Sequence, residues 1–155
     1  MTIGFSAMSY LYGLCQTVAT ANPAPTSIAF NPNVVAFYGS PSEIYAPQFA
    51  ITVSNIGAET SEPEYLGALT LKETLRVSGT IFGAIGDVTP SNQETLASFL
   101  QTLYEALSTE VKNDPSLGGI AIHSWPAGYE MEWMPAENGL ALQINYSLYV
   151  EALTS

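Results

Sequence analysis

The stretch "LTLKETLRVSGTIFGAIG" at residues 69–86 alternates apolar and polar side chains for longer than any other part of the chain. Leu71, Leu75, Val77 and Ile81 point one way, while Lys72, Thr74, Arg76, Ser78 and Thr80 point the other. A period of two over that span specifies a strand with one apolar and one polar face. From Leu69 to Phe82 such a strand would extend about 45 Å. That is longer than a small domain needs, so part of it is expected to project and meet another subunit. With 155 residues in total, the chain should form one domain, 1–155, with a core that needs no covalent staples.

What surrounds this strand sets the fold class. Met8, Leu11, Tyr12, Cys15, Val18 and Ala19 recur at helical spacing, which predicts a helix over about 6–21, capped by Ser6 and ended by "NPAP". Gly13 weakens that helix by about 1 kcal/mol relative to Ala, so it needs something to pack on. After a Pro-rich connection, "VVAFYGS" (34–40) and "QFAITVSNI" (48–56) read as strands. "GAETSEPEYLG" (57–67), with three glutamates and a proline, reads as an exposed acidic loop.

"PSNQETLASFLQTLYEALSTEVK" carries an apolar stripe of Leu96, Phe99, Leu100, Leu103, Leu107 and Val111, which predicts a helix over about 91–113. Ser91 and Glu94 have capping-box spacing, and Lys112 sits in the last turn, where the helix dipole favours a cation. Asp114-Pro115 stops the helix, Gly118-Gly119 permits a tight reversal, and Ile120 and Ile122 are expected to open an inward-facing strand. "YEMEW" and "LALQINYSLYVEAL" flank the turn signal Asn138-Gly139, giving a C-terminal hairpin over about 129–153. The order is α+β: a mainly antiparallel sheet of about four to six strands, with two helices on one face.

Charge narrows the partners. Fourteen acids against three bases leave a net charge of −11. Lys72, Arg76 and Lys112 cannot build the basic face a nucleic-acid binder uses, and an anionic membrane would repel the chain. Such a balance suits a protein past which DNA slides without sticking. Two bases on one strand face among so many acids suggest that Lys72 and Arg76 pair with a neighbour's carboxylates. Cys15, the one cysteine, can form neither an internal disulfide nor a thiolate cluster, and reads as a small buried residue. Ala19–Ala21 gives an Ala-x-Ala pattern, but no base precedes Lys72, so a secretory signal and a secreted subunit are not expected.

A search for chemistry yields little. His123 and Ser124 are adjacent, and neighbours on a strand face opposite ways, which misplaces them as base and nucleophile. The glycines of 79–86 lack the spacing of a phosphate loop and read as a bulge, a strand end, or a close approach between subunits. Glu130 and Glu132 share a face and fit either a solvated strand or a paired-carboxylate enzyme site. Asn145-Tyr146-Ser147 matches a glycosylation acceptor but lies within a strand. No cofactor or metal is expected. Tyr129, Met131, Trp133 and Met134 cluster in one short segment, consistent with either core packing or a contact surface. The assembly candidates are Lys72, Arg76, Tyr129, Glu130, Met131, Glu132 and Trp133.

The succession of "VVAFYGS", "LKETLRVSGTIFGAIGD", a capped helix, "DPSLGGIAI" and "ALQINYSLYVEAL" resembles the tail terminator, or tail completion, proteins of long-tailed bacteriophages. The likeness runs from about Val34 to the end and includes the first helix more loosely. It implies an α+β subunit assembling into a six-membered ring that caps the tail tube and stops its polymerisation. The implied partners are sister copies, the major tube protein and a head-to-tail neck or connector protein, with double-stranded DNA passing unbound through the hole. The implied place is the head-proximal end of the tail in the virion, after synthesis in the bacterial cytoplasm. Another head–tail joining component is the neighbouring alternative.

Overall fold

The computed structural model describes residues 4–39, 47–63, 71–136 and 139–154. Its elements are α1 (Gly4–Ala21), β1 (Val35–Tyr38), β2 (Phe49–Pro63), β3 (Leu71–Ile85), α2 (Pro90–Asn113), β4 (His123–Ala136) and β5 (Gly139–Thr154). The five strands form one sheet in the order β1-β2-β3-β5-β4. β1 runs parallel to β2, and every other pairing is antiparallel. This is the expected α+β architecture, with both helices packed against the sheet.

The core follows from alternation on the strands meeting helical period on the helices. Val77, Ile81, Ile144, Leu148 and Val150 turn inward from the central strands and are all but fully buried. Leu11, Cys15 and Val18 of α1 join the same cluster, as do Leu96, Leu100, Leu103 and Leu107 of α2. Each fully buried leucine in that stripe stabilises the fold by about 2 kcal/mol, enough to outweigh the cost of Gly13 in α1. Tyr12, half-buried, packs edge-on against Tyr38 of β1 with ring centroids 5.7 Å apart.

Several boundaries differ from the sequence reading for identifiable reasons. α2 begins at Pro90 with Thr89 as its cap, and the Thr89 hydroxyl accepts from the Asn92 amide at 3.1 Å. Proline suits the first helical position and holds the residue before it extended, as Thr89 is at φ −125° and ψ 156°. Ser91 therefore lies inside the helix, and the Ser91–Glu94 box is not the cap. α1 likewise starts at Gly4, which puts Ser6 in its first turn.

The acidic segment 57–67 was expected to be a loop, yet β2 continues through it to Pro63. Gly57 pairs with Arg76 and Pro63 with Leu71, so ladder pairing with the long β3 overrides a loop-like composition. Register shifts between Val53 and Asn55 and between Ala58 and Thr60 accommodate it as bulges. The remainder of that segment, 64–67, lies outside the described residues, as does Asn138 of the turn signal. Gly139 opens β5 opposite Ala136.

After α2 the chain reverses on Asp114. One carboxylate oxygen accepts from the Ser116 hydroxyl at 2.6 Å, and the other from the Gly118 amide at 2.9 Å and the Tyr10 hydroxyl at 3.1 Å. These donors, Ser116 foremost, hold the carboxyl below its usual range. Leu117, Gly118 and Gly119 all take positive φ, at 51°, 70° and 90°. Leucine tolerates that conformation here because its side chain is fully buried, and burial offsets a backbone cost of about 1–2 kcal/mol. Ala121 and Ser124 then point inward, whereas Ile122 is 55% exposed. The expected inward placement of Ile122 is thus corrected: β4 begins only at His123, so Ile122 precedes the strand and its alternation, while Ile120 packs half-buried against the core.

Candidate assembly interface

β4 is the outermost strand on its side of the sheet, hydrogen-bonded only to β5 among the described residues. Alternation divides its side chains. Tyr129, Met131 and Trp133 register with Tyr146, Ile144 and Leu142, which places them on the helix side. α2 covers them only in part: they remain 50%, 44% and 40% exposed. Among the described residues, Tyr129 has an aromatic neighbour there, Tyr104 of α2, with ring centroids 4.7 Å apart. The cluster is therefore an exposed row and not core. Met134 registers with Ala141 on the opposite side.

Glu130 and Glu132 face that opposite side, registering with Asn145 and Gln143, and both are exposed. Among the described residues, neither helix packs on this second sheet face. It is built of Thr52, Ser78, Thr80, Gln143, Asn145 and Ser147, with Arg76 as a described cation. The Arg76 guanidinium donates from Nε and Nη2 to the Ser147 hydroxyl, both at 3.2 Å. It borders a shallow depression of about 330 Å³ with Gly128, Tyr129, Glu130 and Asn145. Lys72 lies four positions before Arg76 on β3, in register with Glu62 and Leu153, and its side chain is outside the described residues. The fold thus brings Arg76 and Glu130 to one depression, and sets the aromatic row on the other side of the same edge.

The remaining candidates resolve into structural roles. Ser124 is buried and donates to the Pro115 carbonyl at 2.8 Å, tying β4 to the reversal after α2. His123 points the other way, exposed, and stacks on Trp125 at 5.1 Å, which in turn lies 5.6 Å from Tyr149. Among the described residues, no three His, Cys, Asp or Glu side chains gather as a metal site would require. No described helix is long and apolar enough to cross a membrane. Asn145 lies on β5, paired on both sides by β3 and β4, and accepts from the Gln143 amide at 2.7 Å.

The glycines at 79 and 83 do mark close approaches, here within the subunit. A side chain at Gly83 would strike Leu96 of α2 at 2.7 Å and Phe49 at 3.0 Å. One at Gly79 would strike the Thr52 carbonyl oxygen and the Tyr146 hydroxyl. Cys15 is buried with its thiol 3.9 Å from that hydroxyl, and burial pushes the thiol up to about 12.

Sequence reasoning missed two polar devices. The Gln48 side-chain amide donates to the carbonyls of Ile28 and Ala84 at 2.7 and 2.9 Å and accepts from the Phe30 amide at 2.9 Å. It thereby fastens the Pro-rich connection to β3. The other is the Thr52–Thr80 hydroxyl pair at 2.8 Å across β2 and β3. Comparison with protein-family models and with characterised proteins finds no match for this chain.

Proposed function

We propose that the chain is a structural subunit of a bacteriophage tail, forming a ring that caps the tail tube, ends its growth and joins tail to head. The observation that carries this reading is the long outer strand β4, which offers Tyr129, Met131 and Trp133 to solvent on one side and Glu130 and Glu132 on the other. Tyr, Trp and Met are the side chains enriched at protein contacts, and an open strand edge is a template for pairing. The resemblance in segment order supplies the tail terminator assignment, and the α+β architecture is compatible with it.

In this reading sister copies form a hexamer, the tube protein and a neck or connector protein meet its two ends, and DNA passes through the lumen. The net charge of −11 favours passage without binding, because lumen-facing acids repel phosphates. Arg76, and Lys72 beside it on β3, would meet acids of a neighbouring copy. No chemistry is assigned to Glu130, Glu132 or His123.

The test is the mass of the purified protein alone and with tail tubes. The expected result is a ring, in solution or on the tube, and tubes of arrested length. A chain that stays monomeric in both conditions and leaves tube length unaltered overturns the proposal. Crosslinking from the 129–133 segment then assigns the neighbour: tube protein for a terminator, capsid-side protein for another joining component.

A further inference from the structure

We infer that the open edge of β4 receives an extended segment of a different protein, one that alternates basic with apolar residues, and not a second copy of this chain. The inference rests on the reading of β4 as an assembly edge and names its partner by chemistry.

Backbone geometry opens the edge. Pro135 lacks an N–H, and within a sheet proline is confined to positions where that side faces away from the partner strand. The alternation of antiparallel pairing then turns the backbone groups of Tyr129, Met131 and Trp133 outward as well. Of the devices that blunt an edge, β4 carries a proline and a bulge at 126–128 and a proline at 135, and between them its charged side chains are only glutamates, with no lysine.

Side-chain chemistry selects the guest. A strand added at this edge continues both faces of the sheet. On the helix side its residues would lie beside Tyr129, Met131 and Trp133, so apolar groups are favoured. On the other side they would lie beside Glu130 and Glu132, so Lys or Arg at alternate positions is favoured.

A sister copy cannot supply that pattern. Pairing β4 with β4 sets Glu130 and Glu132 against glutamates, and like charges on adjoining strands repel. The opposite margin, β1 (Val35–Tyr38) and the part of β2 that runs beyond it to Pro63, contains no base. Lys72 and Arg76 lie on β3, already paired on both sides by β2 and β5.

The probe is a blocked peptide of alternating Lys and Val, compared with an alternating Glu and Val peptide and with a shuffled Lys/Val peptide. Binding is followed by anisotropy of the labelled peptide, and the site by amide hydrogen exchange of the full chain. The Lys/Val peptide should bind at least about tenfold more tightly than the Glu/Val peptide and protect the amides of Tyr129, Met131 and Trp133. Glu130→Lys with Glu132→Lys should reverse the order of the two peptides.

Equal binding of the shuffled peptide, protection away from β4, or no binding overturns the inference. So does a homo-oligomer in which those three amides become protected without peptide, an outcome that leaves the ring itself intact. Alternating-peptide binding at β4 by a chain that never self-associates keeps the inference and removes the ring.

Discussion

Tyr146 lies across Gly79. The two are register partners on β5 and β3, and the tyrosine hydroxyl reaches over the glycine to donate to the Thr52 carbonyl of β2. That carbonyl is available because the Thr80 amide donates to the Thr52 side-chain oxygen, at 3.0 Å. The register shift that follows, between Val53 and Asn55, marks the same break in the ladder. A glycine, a buried tyrosine and a threonine hydroxyl thus bind three strands where regular pairing is interrupted.

Gly79→Ala is therefore expected to be among the most damaging single-atom additions to this chain. The new methyl would collide with backbone, which cannot yield as a side chain does, so a loss of about 3 kcal/mol or more is expected. Tyr146→Phe removes a buried donor and leaves its acceptor unpaired, for a loss of about 1–3 kcal/mol. Urea unfolding of both variants checks the order.

Cys15 should be unreactive in the folded protein. Its thiol is buried and displaced upward to about 12, so almost no thiolate exists near neutral pH. A chromogenic disulfide reagent should label it only at the rate of opening or unfolding, and fast labelling without denaturant would contradict the packing of α1 on the sheet.

Asp114 predicts a particular acid sensitivity. Its folded-state carboxyl titrates below the unfolded one because Ser116, the Gly118 amide and Tyr10 stabilise the anion. The stability it contributes is present above the unfolded carboxylate range, near about pH 4, and is lost as pH falls through the lower folded value. Asp114→Asn should therefore be less stable than the parent at neutral pH, with the gap narrowing on acidification. Melting temperatures of both proteins across that range would show it.

Arg76→Glu separates assembly from folding. The described partner of Arg76 is the Ser147 hydroxyl, and the side chain is exposed, so monomer stability should change by less than about 0.5 kcal/mol. Ring assembly should weaken by about 2 kcal/mol if the guanidinium meets a neighbour's carboxylate in a desolvated contact. Sedimentation across concentration measures the second quantity, and thermal unfolding of dilute protein the first.

Local pattern made some of this legible and hid the rest. The α2 stripe from Leu96 to Val111 could be read directly, because helical period and burial coincide at every position. The split of Tyr129, Met131 and Trp133 from Glu130 and Glu132 followed from alternation alone. That their strand lies outermost did not, since strand order depends on which distant segments pair, and β5 inserts between β3 and β4. The extension of β2 through Glu59 and Glu62 was hidden for the same reason: the pairing with β3 that holds it is not local. The exposure of Ile122 was hidden because the reversal after α2, with three consecutive left-handed residues, delays the strand until His123.

The prolines at 126 and 135 carry a last consequence. They bracket residues 127–134 of β4, so the length of any guest strand is set by the host and not by the guest. A longer segment finds no amide at either proline and must leave the sheet there.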